Sequence, residues 1–120
     1  MPARIVLVHD DEEFAIAATI ALRNAGYDVA TFTDSELALD ALESAKSVEL
    51  LVTRMQFGPR KPAGGALARM TMMKRSGLKV VFTGLPQYAR YVEGLGPFLP
   101  MPVDLGELVG AVRGLLASES

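Results

Sequence analysis

A chain of 120 residues, half of them apolar, has the size of one ordinary domain and can bury roughly two-thirds of its unfolded surface in a single core. With no cysteine and one histidine, it excludes disulfides, thiolate catalysis, cysteine-ligated zinc and a His-rich metal site. The net charge of −2 hides an uneven distribution: between Leu50 and Val92 there is no Asp or Glu, while Arg54, Arg60, Lys61, Arg69, Lys74, Arg75, Lys79 and Arg90 all fall there. These bases read as solvated helix faces or as a docking face for an acidic or phosphate-bearing partner. Apolar runs are a few residues long, short of the roughly 20 that span a bilayer, so a soluble protein is expected. Met1-Pro2-Ala3-Arg4 leads into Ile5-Val6-Leu7-Val8 and then acids, which does not make a secretory leader; a cytoplasmic address is the expectation.

Ile5 to Val8 is a short branched apolar run, as in a strand buried on both faces, and it ends in His9-Asp10-Asp11-Glu12. From Glu13 the spacing turns helical, with Phe14, Ala17, Ala18, Ala21 and Leu22 on one side and Asn24-Ala25-Gly26 as the stop. Tyr27 to Phe32 reads as a second strand, after which Thr33 or Asp34 caps a helix through Leu37, Ala38, Ala41 and Leu42. Leu50 to Thr53 is a third strand. A Gly- and Pro-rich loop from Phe57 to Gly65 leads to a helix carrying Leu67, Met70 and Met73, stopped at Ser76-Gly77. Met70, Met72 and Met73 read as core filler. Leu78 to Thr83 is the fourth strand. Pro86 to Gly94 allows only a short helix before Gly96-Pro97 breaks it, and Phe98-Leu99 makes a brief fifth strand. Asp104 caps a last amphipathic helix with Leu105, Leu108, Val109, Val112, Leu115 and Leu116 on its stripe. Apolar strands alternating with helices predict an α/β fold: a doubly wound five-stranded parallel sheet with helices on both faces and a shortened fourth helix, in one domain over residues 1–120. Ligands in such sheets sit at the carboxyl ends of strands, which directs attention to His9 to Glu12, Thr53 to Phe57, Thr83-Gly84 and Leu99 to Pro102.

The element order and the strand ends resemble the CheY-like (flavodoxin-like) receiver domain of two-component response regulators over essentially the whole chain. The residues that carry the likeness are Ile5-Val6-Leu7-Val8-His9-Asp10-Asp11, Gly26-Tyr27, Leu50-Leu51-Val52-Thr53-Arg54, Val80-Val81-Phe82-Thr83-Gly84 and Phe98-Leu99-Pro100-Met101-Pro102. The resemblance implies an acid pocket on strand one, an Asp ending strand three that takes a phosphoryl group with magnesium, a Lys that holds the phosphate, and switch residues bearing a hydroxyl and an aromatic ring. An ungapped count puts His9 and Asp10 at the acid pair, with Asp11 one beyond; sliding by one would restore an Asp-Asp pair but needs a deletion in the following helix. Glu49 lies where the family places an acid five residues before its phosphoacceptor, so Arg54 occupies the phosphoacceptor position. Met101 occupies the lysine position, while Thr83 and Phe98 match the switch positions.

Arg54 cannot accept a phosphoryl group, so an atypical, degenerate pseudo-receiver is expected, with no cofactor and no magnesium. Arg54 is expected to replace the ion by pairing with Asp10 or Asp11, the alternative being a guanidinium turned out to solvent. His9 reads as a polar strand-end residue bonded to its acidic neighbours, and Thr83 as either a switch or a hydroxyl bonded to backbone. Met101-Pro102 resembles a bond that is cis in the family, and a cis peptide is expected. The leading function is a stand-alone, non-enzymatic module of phosphorelay signal transduction that contacts a histidine kinase or other regulator, with homodimerisation left open. The alternatives are a phosphoacceptor using Asp10 or Asp11, and a nucleotide- or small-anion-binding module using Arg60, Lys61 and the Gly64-Gly65 turn. Direct nucleic-acid binding is not expected from a net acidic chain without a helix-turn-helix pattern.

Overall fold

The computed structural model describes residues 4–45, 47–57 and 61–117. Five parallel strands form one sheet: β1 (Arg4–Val8), β2 (Asp28–Phe32), β3 (Leu50–Arg54), β4 (Lys79–Gly84) and β5 (Phe98–Pro100), in the spatial order β2-β1-β3-β4-β5. The chain moves from β1 outward to β2 and then returns to the other side of β1 for β3. The carboxyl ends of β1 and β3 therefore flank the point where the winding reverses, and the crevice opens there.

The central strands lack polar alternation because both faces are covered. Ile5, Leu7, Leu50, Val52 and Val81 pack with Leu108 and Val112 in one cluster, and Val6, Val8, Leu51, Val80 and Phe82 pack with Leu42 and Leu67 in the other. Helices α1 (Glu12–Asn24) and α4 (Leu105–Ala117) cover the first face; α2 (Ser35–Ser44) and α3 (Gly64–Lys74) cover the second. Asp11 starts α1 by accepting the Phe14 N–H at 3.3 Å, and Asp34 starts α2 by accepting the Glu36 N–H at 2.8 Å. Each cap satisfies an amide with no intrahelical partner, and Glu12, Glu13 and Glu36 add favourable charge in the first turns. No helix among the described residues is long and apolar enough to cross a membrane.

The boundaries fall within two residues of expectation, but three helix faces need correction. In α1 the expected Ala18 and Leu22 are buried and Phe14 packs on the core, but Ala15 and Thr19 are buried where Ala17 and Ala21 were expected, and the branched Ile16 and Ile20 point to solvent. Small side chains let α1 approach the sheet, where Thr19 Oγ1 lies 2.6 Å from Thr31 Oγ1 on β2. In α2, Leu37 is exposed while Ala38 and Leu42 are buried. In α3, Met70 and Met73 are not core filler: with Leu67, Ala68 and Thr71 inward, the helical period carries both to the outer side, and only Met72 packs on the core cluster. The expected shortened fourth helix is a 3₁₀ helix over Pro86–Val92 that anchors through buried Val92.

Candidate functional site

Parallel partners in register project their side chains to the same face of a sheet. Arg54 on β3 is the register partner of Thr83 on β4, and His9 follows Val8, the partner of Thr53. His9, Arg54 and Thr83 thus continue the rows of Leu7, Val52 and Val81, on the α1/α4 face at the carboxyl edge. Asp10 and Asp11 lie between β1 and α1, at the rim of the same crevice.

Of the two partners expected for Arg54, it takes Asp10: its Nη1 donates to Asp10 Oδ1 at 2.5 Å. Arg54 keeps about a quarter of its side chain accessible and Asp10 40 %, so the ion pair sits at the mouth and not in the core. Asp11 is committed to capping α1. His9 is only 2 % exposed; its Nδ1 accepts the Asp11 backbone N–H at 3.2 Å, and its ring lies 4.5 Å from that of Phe14. Burial lowers the imidazole pKa below its ordinary value, the Arg54 charge lowers it further, and Asp10 and Asp11 oppose both. The ring is therefore neutral at pH 7, and with Nδ1 accepting, its proton is on Nε2.

No family model and no curated protein matches the sequence. Solved structures do match. A response regulator receiver protein from Sinorhizobium medicae WSM419 is 22 % identical, with 99 % of this chain and 98 % of that one covered at a TM-score of 0.89. A CheY-like response regulator receiver domain protein from Methanospirillum hungatei JF-1 is 18 % identical, with 98 % and 96 % covered and a TM-score of 0.85. The receiver domain of the hybrid histidine kinase CckA is 28 % identical, with 95 % and 99 % covered and a TM-score of 0.78. The fold is that of CheY-like receiver domains.

Within this receiver fold, Thr83 and Phe98 lie on opposite faces. Thr83 is fully buried and its hydroxyl finds no partner among the described residues, so of its two readings the bond to backbone is not made; Phe98, half-buried, packs on the α2/α3 cluster. Met101 donates its N–H to the Gly84 carbonyl at 2.8 Å, and the Met101-Pro102 peptide is cis, as expected. Met101 also lines a cavity of about 150 Å³ with His9, Asp11, Phe14, Pro102 and Val103, a space for which the sequence carries no signal.

The Gly64-Gly65 turn has a packing role. A Cβ on Gly64 would stand 2.0 Å from the Arg54 carbonyl oxygen, and the Gly64 N–H already donates to Met55 O at 2.9 Å. Glycine there lets α3 begin against the end of β3, and the Gly-Gly pair before an apolar run was the available signal. Lys61 is held by Asp34 at 3.0 Å and Glu36 at 3.6 Å, which raises the lysine pKa and helps lower that of Asp34; Arg60 lies outside the described residues. Four other bases have local partners. Arg69 donates to the Tyr91 carbonyl, Arg75 to the carbonyls of Leu42 and Ala45, Lys74 lies 3.8 Å from Glu43, and Arg90 stacks over the Tyr91 ring. Helix ends and local acids take up these charges.

Proposed function

We propose that this protein is a receiver-like module of two-component signal transduction that is not phosphorylated at the end of β3 and acts by protein contact, with a histidine kinase or another regulator as its partner. The observation that carries this reading is the Arg54–Asp10 ion pair at the mouth of the crevice. A guanidinium offers no nucleophile, and it neutralises the carboxylate that a divalent cation would need. A dication within roughly 4 Å of that guanidinium would meet a repulsion of about 8 kcal/mol at an effective dielectric constant near 20. Among the described residues no three His, Asp or Glu side chains gather as a metal-binding group. The site present here does not fit magnesium, and no step of the proposed function runs through it.

With charge at the mouth set by two side chains of its own, the module presents one surface irrespective of phosphate supply. It has no enzymatic role in this reading, a cytoplasmic location follows from a two-component partner, and a homodimer is one form the contact can take. The receiver domain of a hybrid histidine kinase among the matching structures is consistent with a kinase-linked partner.

The test is intact-mass spectrometry after incubation with magnesium and acetyl phosphate, beside an ordinary receiver domain as positive control. The expected result is an adduct on the control and none on this protein. A hydroxylamine-labile adduct that disappears in Asp10→Ala would instead establish an acyl phosphate on that carboxylate and overturn the proposal.

A further inference from the structure

The cavity bordered by Met101 holds a feature that the signalling role does not use. His9 is buried, and its Nδ1 is occupied by the Asp11 N–H, so its Nε2–H is a donor. Among the described residues that donor has no protein acceptor, yet it is not sealed in: the buried side-chain polar atoms left without a partner are the hydroxyls of Ser35 and Thr83. His9 lines a cavity of about 150 Å³ with Asp11, Phe14, Met101, Pro102 and Val103, which gives that unsealed donor a space to meet a ligand. Asp11 stands at its edge. One of its carboxylate oxygens caps α1, which leaves the other as an acceptor without a hydrogen bond among the described residues.

We propose that this cavity is a binding site for a small, flat, neutral amide, an aryl carboxamide or a cyclic amide. The carbonyl oxygen would accept from His9 Nε2–H, the amide N–H would donate to the free oxygen of Asp11, and the ring would lie between Phe14 and the Met101-Pro102-Val103 segment. Each element of that choice follows from the walls. The space of about 150 Å³, mostly apolar apart from His9 and Asp11, has room for one aromatic ring. A neutral imidazole offers one hydrogen bond and no charge, and the Asp11 carboxylate at the edge disfavours an anion. An apolar ligand without the amide would leave the Nε2–H dry and unpaired.

The experiment is titration of the isotope-labelled protein with benzamide, followed by ¹H–¹⁵N spectra of the backbone and of the imidazole of His9, the single histidine of the chain. Benzoate serves as the anionic control. The expected result is saturable shifts confined to His9, Asp11, Phe14, Met101 and Val103, with benzoate binding at least about tenfold more weakly. His9→Phe keeps a ring in the wall and removes the donor, and is expected to weaken benzamide about tenfold, the equivalent of one hydrogen bond. Met101→Lys, which changes a half-exposed wall residue, is expected to close the cavity and abolish the shifts. No saturation up to the solubility limit, shifts elsewhere on the surface, equal binding of benzoate, or unchanged affinity in a folded His9→Phe protein would each overturn the proposal.

Discussion

Adding one methyl group at Gly64 and at Gly110 should have opposite effects. A Cβ on Gly64 would lie 2.0 Å from the Arg54 carbonyl oxygen, 2.9 Å from its carbon and 3.1 Å from Met55 Cα, all backbone atoms that cannot rotate away. To reach the 3.0 Å below which real Cβ atoms essentially never come, the start of α3 must withdraw from β3 by about 1 Å. That strains the Gly64 N–H···O=C Met55 bond and loosens Leu67 and Ala68, both fully buried one turn on. Overpacking costs about 1–3 kcal/mol and a weakened buried hydrogen bond about 1 kcal/mol more, so Gly64→Ala is expected to lose about 2–4 kcal/mol. Gly110 is exposed in the middle of α4, and a Cβ there would have nothing within 4 Å. At that position the same methyl removes backbone freedom from the unfolded chain, and Gly110→Ala is expected to gain about 0.5–1 kcal/mol. Urea unfolding of both variants against the parent measures the difference. A Gly64→Ala protein within about 0.5 kcal/mol of the parent would refute the close approach of α3 to the strand that carries Arg54.

The lowered pKa of His9 predicts a pH dependence with a definite sign. Above about pH 6.5 the imidazole is neutral in both folded and unfolded chains and contributes nothing; as pH falls through 6.5 the unfolded chain binds a proton that the folded chain refuses, so stability declines until the lower folded pKa is reached. An NMR titration of the histidine ring, with urea midpoints at pH 7.5 and 5.5 expected to be higher at the former, checks both halves, and a folded-state midpoint at or above 6.5 would contradict the burial argument. Thr83→Val removes a fully buried hydroxyl that has no partner and replaces it with a methyl of nearly the same shape. A gain of about 1 kcal/mol in urea unfolding is expected, and a loss would mean that the hydroxyl is satisfied in solution.

The architecture was legible in the sequence because it rests on local signals. Ile5 to Val8, Leu50 to Val52 and Val80 to Phe82 have no polar alternation, which identifies strands covered on both faces, and Asp34 and Asp104 mark helix starts by chemistry that acts within three residues. Arg54 at the end of β3 could be located by counting from Glu49, and its charge alone ruled it out as a nucleophile. Which acid it would meet could not be counted, because Asp10 and Asp11 are adjacent and the choice depends on how β1 lies beside β3 and on which carboxylate α1 uses for its cap. The same limit explains Met70, Met73 and Leu37. Apolarity and spacing define a stripe only to within one residue, about 100° around a helix, and the contact with the sheet decides which side turns inward. Thr83 was identifiable as a strand-end hydroxyl, but its lack of a partner is a property of everything packed around it. The cavity beside His9 lay furthest from sequence reasoning. It is bounded by His9, Asp11 and Phe14 from one end of the chain and Met101 to Val103 from the other, and packing of long-range neighbours creates a space that no local pattern encodes.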